Sequence, residues 1–164
     1  MIFTMQWRQY KRLRAVLIFC RVLLGVMWLI SAFFKFADLD WFTKAVRNYQ
    51  LPPFDLPPYD VFIAYGVPTF ELIAGSCLVL SLCIRAALLL SGSLFCVFLI
   101  PIVHAWRLGY AISCGCIGGY SGEIHYPIHV GGLVLGVVFV CVLFLNEKPC
   151  SIKATCGEVK EVGE

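Results

Sequence analysis

Four long apolar stretches are the feature that most limits what this chain can fold into. A helix needs about 20 apolar residues to cross a hydrocarbon core about 30 Å thick. Stretches of this kind cover residues 15–34, 61–84, 86–106 and 128–145. Because lipid offers no partner for backbone N–H and C=O groups, each stretch is predicted to be a helix. The sequence therefore predicts an all-α fold, an integral membrane four-helix bundle.

The composition favours a bilayer over water as the solvent of this protein. Hydrophobic residues make up 60% of its 164 residues and charged residues only 14%. A soluble domain of this size has too little interior to bury so much apolar surface. The net charge is only +3, and the basic residues near the N-terminus have no interleaved aromatic face. The lipid bilayer is therefore the predicted environment, and a nucleic-acid partner is not supported.

Basic residues near the ends of the spans predict the orientation in the membrane. One side carries Arg8, Lys11, Arg12, Arg14, Arg85, Lys148 and Lys153; the other carries Lys35, Lys44, Arg47 and Arg107, diluted by aspartates. Since cytoplasmic loops carry the excess of Lys and Arg, we expect both termini in the cytoplasm. Segments 35–60 and 107–127 then lie outside. The chain divides into a basic N-terminus (1–14), a membrane domain (15–145) and a polar cytoplasmic tail (146–164).

The cysteine pair of Cys114-Gly115-Cys116 stands apart from the other thiols. Five of the nine cysteines lie within apolar runs, where we expect small, buried and inert side chains: Cys20, Cys77, Cys83, Cys96 and Cys141. Cys114 and Cys116 are instead flanked by glycine and polar residues in a predicted outer loop. A disulfide between residues two apart closes a small, strained ring, and strain makes a disulfide easier to exchange. We interpret the pair as redox-active thiols, the candidate catalytic residues.

The same loop allows a metal site as an alternative. Cys114, Cys116, His125 and His129 follow the pattern C-x-C-x8-H-x3-H. Two sulfurs and two imidazoles suit tetrahedral zinc, or copper. The spacing of the cysteines is tighter than usual for zinc, and Pro127 separates the two histidines. The redox interpretation is therefore preferred, and the metal interpretation stays open.

Polar residues in and near the spans are the candidate supporting residues: Lys35, Glu71, His104 and Arg21. An ionised side chain at the centre of a span costs about 2.5–3.5 kcal/mol on insertion scales. Glu71 must therefore be paired, neutral or turned into the bundle. At about 1.5 Å per residue, Arg21 is within reach of it; if the second span begins later, near Gly66, Glu71 lies closer to Lys35. We expect an ion pair that fixes helix packing, or proton handling near a quinone or a thiol.

Several short motifs, taken in order, resemble the MauE branch of the DoxX-like membrane proteins. The resemblance covers residues 15–145 and rests on Arg21 with Leu24-Gly25, on Ser31–Asp38 (SAFFKFAD), on Val46–Pro52 (VRNYQLP), on Pro68–Gly75 (PTFELIAG) and on Cys114–Gly119 (CGCIGG). The chain departs from the family pattern at Ile117, where the family usually has Phe. It also departs in the polar tail, which carries Cys150 and Cys156.

The resemblance implies a protein of the bacterial inner membrane. The namesake family is associated with methylamine utilisation, in the maturation of the disulfide-rich small subunit of methylamine dehydrogenase. Relatives are described as redox-associated and are expected to work with thioredoxin-like partners. We therefore predict thiol–disulfide exchange through Cys114 and Cys116 with an extracytoplasmic thioredoxin-fold or disulfide-rich protein, with a quinone as a candidate cofactor. The alternative is a metal-binding (zinc or copper) or non-catalytic assembly factor.

Overall fold

Helices make up the regular structure of the part of the chain that the structure describes. The computed structural model describes residues 2–110 and 125–147, with side chains from residue 13 onward. In that part the chain forms α1 (Ile2–Ala37), α2 (Leu39–Asn48), α3 (Tyr59–Val79), α4 (Ile84–Leu108) and α5 (Tyr126–Asn146). Four helical segments are long and apolar enough to cross a membrane: Leu13–Ala37, Tyr59–Val79, Ile84–Leu108 and Tyr126–Asn146. The predicted all-α fold with four membrane helices is confirmed.

The four long helices pack in the spatial order α1, α3, α4, α5. Helix α1 packs on α3, α3 on α4, and α4 on α5. Helices α1 and α3 approach each other closely where a Cβ added at Gly75 would lie 2.8 Å from the carbonyl oxygen of Gly25. Glycine at such a crossing lets two membrane helices bring their backbones together. This contact sets how α1 and α3 lie against each other, and therefore which side chains meet between them.

The two ends of the bundle carry different helix ends and different polar contacts. At one end, Arg21 near the start of the apolar part of α1 donates a 2.7 Å hydrogen bond to Ser81. Its guanidinium also lies 3.5 Å from Glu147, just past α5. The start of the α1 span, the turn between α3 and α4, and the end of α5 therefore share this end. The opposite end, which we call the α2 end, carries α2, the start of α3, the end of α4 and the start of α5.

Helix α2 is an element that the sequence analysis did not predict. Asp38 caps its start by accepting a 2.9 Å hydrogen bond from the backbone N–H of Trp41. Phe42 and Ala45 are buried on one face, and the helix packs on α3. A capping aspartate and an amphipathic pattern are local sequence signals. This helix could therefore have been predicted from the sequence.

The five cysteines of the apolar runs are less buried than predicted. Cys20 and Cys77 are half-buried, whereas Cys83, Cys96 and Cys141 are exposed on the surface of the protein. The prediction that all five are buried is therefore wrong for these three. The reason is that a membrane helix is apolar on its lipid-facing side as well as on its packed side, so an apolar run does not say which residues are buried.

Candidate functional site

A buried ion pair joins α1 to α3 within the apolar part of the bundle. The Nζ of Lys35 contacts Oε1 of Glu71 and donates a 2.8 Å hydrogen bond to Oγ of Ser31. Ser31 in turn donates to the same carboxylate oxygen at 3.2 Å. Lys35 is 1% exposed and Glu71 is 0% exposed. A lysine, a serine and a glutamate thus form a connected polar cluster between α1 and α3.

The geometry of α1 explains why Lys35 reaches Glu71. Side chains on a helix lean toward its N-terminus, so the long Lys35 side chain runs back one turn toward Ser31. Helix α3 is antiparallel to α1 and brings Glu71 to the level of Ser31. The contact therefore depends on the reach of lysine and on the crossing at Gly25 and Gly75.

Of the two partners that the sequence analysis offered for Glu71, one is wrong. Arg21 does not pair with Glu71; it lies at the opposite end of the bundle with Ser81 and Glu147. Lys35 is the partner, but not for the reason given, because α3 begins at Tyr59 and not near Gly66. Depth along each helix does not identify the partner, because the direction in which the lysine side chain leans also decides which groups meet.

Two aromatic rings enclose the ammonium of Lys35. Its Nζ lies 4.7 Å from the ring centroid of Phe98 and 5.3 Å from that of Phe42. Both distances fit a cation held at an aromatic face. Within the described residues, the second carboxylate oxygen of Glu71, Oε2, is buried without a hydrogen-bond partner. Ionisable side chains placed so deeply in a membrane protein are costly and most often functional.

A second ion pair holds α2 against α3. The Nε of Arg47 donates a 2.5 Å hydrogen bond to Oδ2 of Asp60, whose side chain is 0% exposed, while the Arg47 side chain is 49% exposed. Sequence reasoning counted both residues only as loop charges in the orientation argument. Predicting α2 from the sequence would have placed Arg47 in the last turn of a helix, but only the packing of α2 on α3 brings it to Asp60.

The predicted site residues of the loop between α4 and α5 are only partly described. Cys114 and Cys116 lie outside the described residues. His104 is half-buried near the end of α4. His125 precedes α5, and Nδ1 of His129, one turn later, lies 3.4 Å from the carbonyl oxygen of His125. Within the described part of the chain, no three His, Cys, Asp or Glu side chains form a metal-binding group, so the metal alternative is left untested.

The residues on either side of this loop contact each other at the α2 end. The hydroxyl of Tyr126 donates to the backbone carbonyl of Tyr110. The rings of Trp106 and Tyr126 stack with their centroids 6.4 Å apart. Tyr110 and Tyr126, the described residues on either side of the segment with the two cysteines, therefore lie close together. They lie at the α2 end, where the Arg47–Asp60 pair also lies.

A comparison with protein families assigns the chain. The family model described as methylamine utilisation protein MauE matches residues 13–146. The chain belongs to the MauE family. No curated protein and no solved structure matches it significantly. The MauE match confirms the family that the motifs suggested, and it covers the four membrane helices, the Lys35–Glu71 pair and the segment with the two cysteines.

In this MauE-family chain, sequence reasoning missed the aromatic part of the site. Phe42 and Phe98 come from α2 and α4, far apart in sequence, and both face Lys35. Phenylalanine is the commonest aromatic residue of this chain, with 13 copies, so its presence in a span carries no signal. Only the packing of α2 and α4 around α1 selects these two.

Proposed function

We propose that this MauE-family membrane protein carries out thiol–disulfide exchange, with Cys114 and Cys116 as the exchanging thiols. Its partner is an extracytoplasmic thioredoxin-fold or disulfide-rich protein. The protein works in the inner membrane of a bacterium with both termini in the cytoplasm. The family description, methylamine utilisation, supports a role in maturing a disulfide-containing subunit of methylamine dehydrogenase.

The observation that supports this proposal is the contact between Tyr110 and Tyr126, the described residues nearest to the cysteine segment on either side. This contact lies at the end of the bundle nearer to Lys35. Among the described residues, the buried charged side chains of Lys35 and Asp60 lie toward this end, Glu71 lies near the middle of α3, and Arg21 lies at the opposite end. Buried charges near the end that carries the cysteine segment favour polar chemistry there over a purely membrane-spanning role.

The exchange itself conserves electrons and protons. A thiolate of the pair attacks the partner's disulfide, one S–S bond breaks and a mixed disulfide forms, and the second cysteine releases it. Two electrons and two protons pass from one dithiol to the other, in either direction. In this proposal Glu71 and His104 take up or release protons, and Lys35 holds the Glu71 carboxylate. Arg21 is assigned to packing, because it lies at the other end.

The experiment that tests the proposal is the trapping of a mixed disulfide. A Cys116→Ala variant leaves Cys114 without its resolving thiol, so a covalent complex with the partner should accumulate on non-reducing gels and disappear on reduction. The matched control is the double variant Cys114→Ala/Cys116→Ala, which keeps the other seven cysteines and should trap nothing. Equal trapping by both variants, or by neither, would contradict the proposal.

The non-catalytic alternative makes a different set of predictions. His125 and His129 lie one turn apart at the start of α5, which is a spacing that two metal ligands can use. A metal carrier would release zinc or copper in the His125→Ala variant, as measured by metal analysis of the purified protein. An assembly factor would keep its function when both Cys114 and Cys116 are replaced. Either result would replace thiol–disulfide exchange as the function.

A further inference from the structure

An apolar cavity lies between α2, α3 and α4 at the α2 end of the bundle. Its volume is about 320 Å³, at the lower end of the range of about 300–1,000 Å³ usual for small-molecule sites. Ile63 and Val67 line it from α3, Pro101 from α4 and Phe42 from α2. Of the described residues that line it, only Tyr49 has a polar side-chain atom, and none carries a charge. The cavity therefore suits a group without hydrogen-bonding atoms, because a polar group would lose its water there for at most one hydroxyl.

The cavity can be reached from the bilayer. Val97 and Ile100 line it from α4, and they are 48% and 60% exposed. Both lie in the candidate membrane span Ile84–Leu108, so their exposed surface faces lipid when the protein is in a membrane. A hydrocarbon chain of the bilayer can therefore enter on the side of α4 without passing through water.

The depth of the cavity matches the hydrocarbon of one leaflet. Ile63 and Val67, which line it, follow Tyr59 by four and eight residues, and Tyr59 is where the candidate span of α3 begins. At about 1.5 Å per residue, these positions lie about 6 and 12 Å along the helix. Half of a hydrocarbon core about 30 Å thick is about 15 Å. The cavity therefore lies at the depth of the acyl chains of the leaflet at the α2 end.

A cationic side chain lies at the headgroup level beside the cavity. The Nε of Arg47 donates a 2.5 Å hydrogen bond to Asp60, and Asp60 lies one turn before Ile63 on the same face of α3. The Arg47 side chain is 49% exposed, and long basic side chains near the ends of membrane helices direct their charge to the interface. A guanidinium group matches the geometry of phosphate oxygens. A lipid whose acyl chain enters the cavity would thus have its phosphate near Arg47.

We propose that this cavity holds one acyl chain of a phospholipid from the leaflet at the α2 end, with the phosphate near Arg47. The chain packs against Phe42 and Val46 of α2 and fills the space between that helix, α3 and α4. The bound phospholipid therefore helps to hold α2 on the bundle. The site uses neither Cys114 nor Cys116, so this inference does not rest on the proposed function.

The test is native mass spectrometry of the full chain, purified in detergent micelles from a phospholipid membrane and released from the micelles in the instrument. The unaltered protein should carry one phospholipid, identified by its mass. Val67→Phe fills the cavity and should lower the fraction of protein that carries the lipid about tenfold or more. The matched control is Ile73→Phe, which adds the same ring on the same helix at a residue that is 47% exposed and lies outside the lining. It should retain the lipid as the unaltered protein does.

Photolabelling in vesicles locates the bound chain. The probe is phosphatidylcholine with a diazirine midway along one acyl chain; it has no net charge, so its labelling reports contacts of the chain. Labelling should concentrate on the peptide that contains Val97 and Ile100 and should fall in Val67→Phe. Equal labelling of the peptide around Leu135, which is 69% exposed on α5, would show only the lipid that surrounds any membrane protein and would overturn the inference.

Further variants separate this inference from its alternatives. Ile63→Phe fills the cavity one turn away and gives a second reading if Val67→Phe fails to fold. Equal retention of phospholipid in Val67→Phe and Ile73→Phe overturns the inference, and so does a free fatty acid or a ring compound found in place of the phospholipid. A variant with Cys114 and Cys116 replaced by serine should still carry the lipid. Loss of lipid binding thus refutes this inference alone, and failure of the mixed-disulfide trap refutes the proposed function alone.

Discussion

Replacing Lys35 by methionine is the perturbation that most directly tests the buried ion pair. Methionine keeps the length and the apolar stem of lysine but removes the ammonium. Among the described residues, the Glu71 carboxylate, 0% exposed, then keeps only the hydrogen bond from Ser31 at 3.2 Å. Its second oxygen already has no partner within the described residues. The variant therefore leaves a carboxylate in an apolar interior without its cation.

Two separate estimates give the size of the effect. Removing one partner of a buried ion pair typically costs about 3–5 kcal/mol. Placing an unpaired ionised side chain at the centre of a membrane helix costs about 2.5–3.5 kcal/mol on insertion scales. We therefore expect Lys35→Met to lower the free energy of unfolding by about 3 kcal/mol. Replacing both partners with apolar residues removes the unpaired charge, so Lys35→Met/Glu71→Leu should recover at least about 2 kcal/mol of that loss.

The assay is unfolding in mixed micelles with increasing SDS, followed by tryptophan fluorescence; of the four tryptophans, Trp28 packs against Phe95 with ring centroids 4.9 Å apart. The control is Lys44→Met, which removes the same side chain from an exposed site on α2 and should change stability by less than about 0.5 kcal/mol. If Lys35→Met is no less stable than Lys44→Met, or if the double variant is no more stable than Lys35→Met, the argument from the buried pair is refuted.

Two further predictions concern the contacts that hold the site in place. Gly75→Ala should destabilise the bundle by about 1–3 kcal/mol, because its Cβ would lie 2.8 Å from the carbonyl oxygen of Gly25. The control is Gly66→Ala on the same helix, which should not destabilise the bundle because nothing lies within 4 Å of the added Cβ. Equal effects of the two substitutions in SDS unfolding would contradict this prediction. Asp60→Asn should weaken the 2.5 Å contact with Arg47 and release α2. Hydrogen exchange should then be faster in α2 and unchanged in α5, and unchanged exchange in α2 would show that other contacts hold this helix.

The partner of Glu71 could not be predicted from the sequence alone. The cost of a charge in lipid predicted that Glu71 is paired, neutral or turned into the bundle, and the structure shows it buried and paired with Lys35. Sequence reasoning could not choose between Arg21 and Lys35, since both lie on α1 within plausible reach. The choice depends on where α1 and α3 cross, at Gly25 and Gly75, and on the direction in which the lysine side chain leans.

The number of membrane helices, their apolar character and the family could be read from the chain alone, because the length of an apolar run and the order of short motifs are properties of consecutive residues. The cavity, the two phenyl rings around Lys35 and the Arg47–Asp60 pair could not, because each joins residues from different helices. In a membrane protein the lipid-facing and protein-facing sides of a helix are both apolar. The residue pattern of a span therefore does not show which face packs inward, and helix packing alone brings the residues of this site together.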